Sequence, residues 1–161
     1  MADQATTDVD LERTGRAIID DNLYLTLATT DADARPWPTP IYFAPVGYRE
    51  FIWVSSPASR HSQNISDHPH VGIVVFDSHA PISTGQAVYM SAVAELVPES
   101  DLDRCLDAYS RSAQERGGQA WSIDDVSPGA RLRLYRATAS EQWVLDTHDR
   151  RIAVPLGLGA G

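Results

Sequence analysis

A run of hydroxyls and one cation, Ser55-Ser56-Pro57-Ala58-Ser59-Arg60-His61, is the stretch of this chain best equipped for chemistry. It joins an apolar strand-like segment, Glu50–Ser55, to a short predicted helix from Ser59 to Ser66. The first N–H groups of a helix have no partner within it, and the helix dipole favours an anion there. Ser55, Ser56 and Ser59 add hydroxyl donors, Arg60 adds a planar fork suited to phosphate, and His61 adds one further donor. A phosphate of a small cofactor is the expected occupant. The plainer alternative is that Ser59 only caps the helix while Arg60 and His61 face water.

Other residues that could do chemistry are fewer. Of the four tryptophans, Trp37 on a proline-rich segment and Trp143 near the end of the chain are candidates for lining a ligand groove, whereas Trp53 reads as core. His61, His68, His70 and His79 lie close in sequence, but no local carboxylate or thiol completes a recognised spacing, so no metal is expected. The single cysteine, Cys105, excludes an internal disulfide, a Cys-x-x-Cys pair and an iron–sulfur site. The absence of lysine excludes a lysine Schiff base and a P-loop lysine. No Gly-x-Ser-x-Gly elbow is present. Gly157-Leu158-Gly159-Ala160-Gly161 mimics a dinucleotide fingerprint, but with no helix after it the run reads as a tail.

With 161 residues and 43% hydrophobic content the chain is expected to fold as one globular domain. Thirteen basic against twenty-two acidic residues give a net charge of −9. No basic face is available for a nucleic-acid backbone or an anionic membrane surface, so neither is an expected partner. No segment has the apolar length of a membrane span or the profile of a signal peptide, which makes the cytoplasm the expected location.

The elements that must position these residues follow from periodicity. Residues 1–9 read as a frayed tail, and a short helix is expected from Asp10, as N-cap, to about Asp21, weakened by Gly15. Strands are expected at Leu23–Thr29, Arg35–Phe43, Glu50–Ser55, Val71–Phe76 and Ala87–Val97, and two more at Arg131–Ala137 and Gln142–Leu145. Pro36, Pro38 and Pro40 remove alternate N–H groups from one side of an extended chain, so their strand pairs on one edge only. The strongest helix pattern spans 100–113, with Leu102, Cys105, Leu106, Tyr109 and Ala113 on one face, Ser100 as N-cap and Asp103 at the capping-box position. Residues 148–161 read as a C-terminal tail, leaving 10–147 as the domain. Six or seven strands with one substantial helix among them point to an antiparallel barrel with peripheral helices.

In order and content these pieces resemble the pyridoxamine 5'-phosphate oxidase-like split-barrel flavoproteins. The resemblance runs over roughly residues 15–146: strand Leu23–Thr29, Arg35–Phe43, Phe51–Ser55 followed by Ser59-Arg60-His61, then Asn64-Ile65, His68-Pro69, Val71–Phe76, and Gly85-Gln86 leading into Val88–Glu95. It implies a mainly β, antiparallel six-stranded split barrel, a homodimer, and a flavin mononucleotide (FMN) site completed by both subunits. It implies that Ser55, Ser59 and Arg60 grip the FMN phosphate, with His61 where a lysine usually stands, and that Gln86 meets the flavin ring. Two basic positions of the family fall near Thr39 and Phe43, which are not basic. His148 and Arg150-Arg151 do not reproduce the family's substrate-phosphate set. The expected function is therefore an FMN-dependent oxidoreductase acting on a small organic molecule, not a true pyridoxamine-phosphate oxidase. A deazaflavin-dependent reductase and a non-catalytic flavin- or haem-binding barrel are the alternatives.

Overall fold

The computed structural model describes residues 2–157. Strands β1 (Tyr24–Thr30), β2 (Pro36–Tyr42), β3 (Ala44–Val46), β4 (Glu50–Ser55), β5 (His70–Phe76), β6 (Ala87–Leu96), β7 (Arg133–Leu145) and β8 (Arg151–Ala153) form one antiparallel sheet. Its order is β2-β1-β5-β6-β7-β4-β3, with β8 added to β7. Leu25 and Leu27 of β1, Ile41 of β2, Phe51 and Trp53 of β4, Val75 of β5, Val88 of β6 and Ala137 of β7 all enter one core. Strands from both ends of the sheet can share a core only if the sheet curls on itself, and this is the expected barrel. Six strands carry it; β3 and β8 are three-residue additions.

Helix α1 (Ala2–Asp21) buries Leu11 and Ile19 against this core. It begins eight residues before the expected start, so the stretch expected to be a frayed tail is helical from Ala2, and Asp10 is not an N-cap but pairs with Arg13 one turn on. Met1 lies outside the described residues. Gly15 is explained by packing: a Cβ there would stand 2.8 Å from both Leu156 Cδ2 and Val144 Cγ2. Helix α2 (Arg60–Asp67) lies against β1 and β6 and buries His61, Ser62, Asn64 and Ile65.

Helix α3 (Leu102–Glu115) follows a 3-10 turn at Glu99–Asp101, which displaces the expected Ser100 cap; Asp101 takes that position without a side-chain capping bond. Its apolar face, with Cys105, Leu106 and Tyr109, covers the outside of the sheet at Ala44, Ile52 and Leu134 as a second core. A short α4 (Ile123–Val126), closed by a Ser122–Asp125 capping box, has no counterpart in the sequence-based expectations. The two expected terminal strands are one, β7, and the expected tail is partly ordered: β8 pairs with β7, and Val154 and Leu156 are buried. The glycine-rich run lies outside the described residues beyond Gly157. Among the described residues no helix is long and apolar enough to cross a membrane.

Candidate functional site

Ser55 ends β4 on the same face as the core residue Trp53, so the strand delivers its hydroxyl to one end of the barrel. Four residues later Ser59 is the N-cap of α2, its Oγ accepting from Ser62 N at 3.4 Å. The short connection leaves Ser55 Oγ and Ser59 Oγ 3.3 Å apart. His61 turns inward from the first turn of α2, with its Nε2 2.6 Å from Ser55 Oγ and 3.1 Å from Ser59 Oγ. The residue is 8% exposed. Burial pushes its pKa below the ordinary histidine value. His61 is thus a buried partner of the two serines and not a donor standing toward solvent.

Arg60 points the other way. Its guanidinium carbon lies 4.3 Å from the centre of the Trp37 ring, and Nη2 is 3.3 Å from Asp31 Oδ2. Asp31 is held by its own turn: the backbone N–H of Arg35, then that of Asp33 and the Arg60 guanidinium, keep its carboxyl below the usual range, against the opposing effect of burial. Trp37 therefore belongs to this end of the molecule, beside the anion-favouring helix start. A second polar link fixes α2 in place: Asn64 Nδ2 donates to Thr29 Oγ1 at 2.9 Å, and Thr29 Oγ1 donates to Trp37 O at 3.3 Å. On β2, Thr39 Oγ1 is buried without a hydrogen-bond partner among the described residues. Ser56 is used locally, its Oγ accepting from Ala58 N at 3.2 Å.

The other two expected residues lie elsewhere. Gln86, just before β6, donates to Leu145 O at 3.5 Å and lines an open cavity of 730 Å³ with Asp21, Tyr24, Phe76 and Asp77. Trp143 stands on the outer face of the sheet, paired in register with Tyr89, whose ring also carries the Arg151 guanidinium at 4.5 Å. Sequence reasoning missed Asp31 and Thr29 as part of the site. Asn64 was findable, because it shares the buried face of α2 with His61 and Ile65.

A family model described as pyridoxamine 5'-phosphate oxidase matches residues 11–143. The chain belongs to that family. No curated protein matches it in sequence. Among solved structures, a haem-binding protein from Mycobacterium smegmatis is similar at TM-score 0.72 and 14% identity, over 89% of this chain and 57% of that one. The haem storage protein from Vibrio cholerae is similar at TM-score 0.64 and 21% identity, over 88% and 94%. A general stress protein 26-related protein of the pyridoxine-phosphate oxidase family, from Clostridium acetobutylicum, is similar at TM-score 0.64 and 10% identity, over 91% and 94%. At these identities the likeness establishes the family's split-barrel fold, and the chain spans little more than half of the mycobacterial protein's length.

Proposed function

We propose that this member of the pyridoxamine 5'-phosphate oxidase family binds FMN with its phosphate at the start of α2, and acts as an oxidoreductase on a small organic molecule. The observation that carries the reading is the convergence of Ser55 Oγ, Ser59 Oγ and His61 Nε2 within 3.3 Å of one another, at a helix start flanked by Arg60. The donor set fits a phosphate: two hydroxyls, the free N–H groups of the first helical turn, and a half-exposed guanidinium able to leave Trp37 and Asp31. The unpartnered Thr39 hydroxyl on the neighbouring strand is a further polar group such a ligand could satisfy.

Bound FMN supplies the hydride chemistry. The chain's part is to bind and orient. Ser55 and Ser59 donate to the phosphate, Arg60 neutralises it, and the Asn64–Thr29–Trp37 link holds α2 against β1 and β2 so that these donors keep their places. The active form is proposed to be a homodimer, formed through the outward sheet face that carries Thr26, Gly72, Tyr89 and Trp143.

Titration of the purified protein with FMN, followed by flavin fluorescence, tests this reading. Saturable quenching is expected, and Arg60→Ala should weaken binding by about 1.5–3 kcal/mol, the scale of a hydrogen bond to a charged group. Unchanged affinity in that variant sinks the phosphate clamp. A haem-binding reading draws support from the two haem proteins of similar fold. A Soret band on haem titration, with no response to FMN, would decide for it, and competition between FMN and a deazaflavin separates the two flavins.

A further inference from the structure

The seat at the start of α2 is closed on itself. Ser59 Oγ donates to Ser62 Oγ at 2.9 Å, so its hydrogen must turn away from Ser62 before it can serve the phosphate. Ser55 Oγ lies 2.6 Å from His61 Nε2, and in the Nδ1–H tautomer of the neutral ring the serine is the donor. In that state the ring presents a lone pair, not a hydrogen, to whatever enters between the serines. An anion cannot take Ser55 as donor without displacing this acceptor.

We propose that His61 becomes a phosphate ligand by taking up one proton from solvent: the phosphate of FMN takes over the Ser55 hydroxyl, and the imidazolium so formed donates from Nε2 to the anion. This rests on the reading of the α2 start as the phosphate seat. The driving force is electrostatic, since a phosphate dianion at hydrogen-bond distance favours the charged form of the ring against its burial. Among the described residues no fixed negative charge does so beforehand. Arg60 is turned to Trp37 and Asp31, and Asp67 lies at the far end of α2. Of the strands packed on α2, β1 has only Tyr24, at its opposite end, and β6 has Tyr89 and Glu95, the latter paired with Arg136. A lysine at this position would be cationic whether or not phosphate was present. At and above neutral pH the histidine is cationic only with the anion in place, which makes phosphate binding depend on pH.

Calorimetric titration of the wild-type protein with FMN at pH 8, in phosphate-free buffers of different ionisation enthalpy, tests this directly. The FMN phosphate is already a dianion there, so it exchanges no proton of its own. The expected result is an uptake of about one proton per FMN bound, with none for riboflavin, and an affinity falling up to about tenfold per pH unit above neutrality. His61→Lys should bind FMN with no uptake and a flat pH profile. FMN binding without proton uptake overturns the proposal, because the ring would then donate as the neutral Nε2–H tautomer, while the flavin reading stands. No FMN binding at any pH overturns both. The wild-type measurement decides even where the lysine variant fails to fold.

Discussion

His61 is a titratable ring in a place where charge is costly, and this sets a measurable property of the free protein. Its folded pKa lies below that of the unfolded chain because burial disfavours the imidazolium. Above the unfolded value, about 6.5, both states carry a neutral ring and stability is undiminished. As pH falls below that value the unfolded chain binds the proton first, so stability is lost progressively until the folded pKa is reached. Urea midpoints measured from pH 7.5 down to 5 should therefore decline in the ligand-free protein, and His61→Gln should flatten the decline. An equal slope in that variant would remove His61 as its source. The residue types at this site were legible in the sequence, because hydroxyls and a cation at a strand-to-helix junction are a chemical signal. Their directions were not. Nothing in Ser59-Arg60-His61 says that the histidine turns inward to Ser55 while the arginine lies on Trp37, since that depends on β2 and its turn being brought alongside.

At the scale of elements, the alternate prolines and the alternate apolar positions were the reliable guides. β2 lies at the end of the sheet and pairs with β1 alone, as Pro36, Pro38 and Pro40 require. With no N–H at these three positions, the ladder to β1 is built through Trp37, Thr39 and Ile41, and from Pro36 to Pro40 the free edge offers carbonyls only. An edge without donors is a poor template for another strand. Replacing all three prolines by threonine should restore the donors, and sedimentation velocity should then show concentration-dependent higher oligomers absent from the parent. The split of β7 into two expected strands has a local cause. Ser91 faces Glu141 while Ala92 faces Ala139, so Ser140 is an extra residue that shifts the alternation by one, and a strict two-residue period breaks there. Cap signals were weaker guides. Asp10 and Ser100 have the right chemistry for an N-cap, yet the backbone enters α1 and the 3-10 turn before it reaches them.

For the whole molecule, the barrel was legible because strand periodicity is a property of each segment, whereas the closure of the barrel end was not, because it joins residues far apart in sequence. Leu156 is fully buried, Arg16 donates to its carbonyl from α1 at 3.1 Å, and Gln142 holds the same segment by accepting from Gly157 N and by its backbone carbonyl, which accepts from Val154. Leu156→Ala should lower stability by about 2–4 kcal/mol, the usual cost of emptying a buried leucine site, and chemical denaturation will measure it. A loss below about 0.5 kcal/mol would mean that the segment rests on the barrel without sealing it.

The contact of Gly15 with Val144 and Leu156 also fixes an order of events. Helix α1 leaves the ribosome before the surfaces it packs on, which are made by β5, β6, β7 and Leu156, all later in the chain. Leu11 and Ile19 of the nascent helix therefore stay uncovered until these later segments arrive. Packing of α1 is completed only after Leu156 has emerged, and until then its apolar face is open to a chaperone.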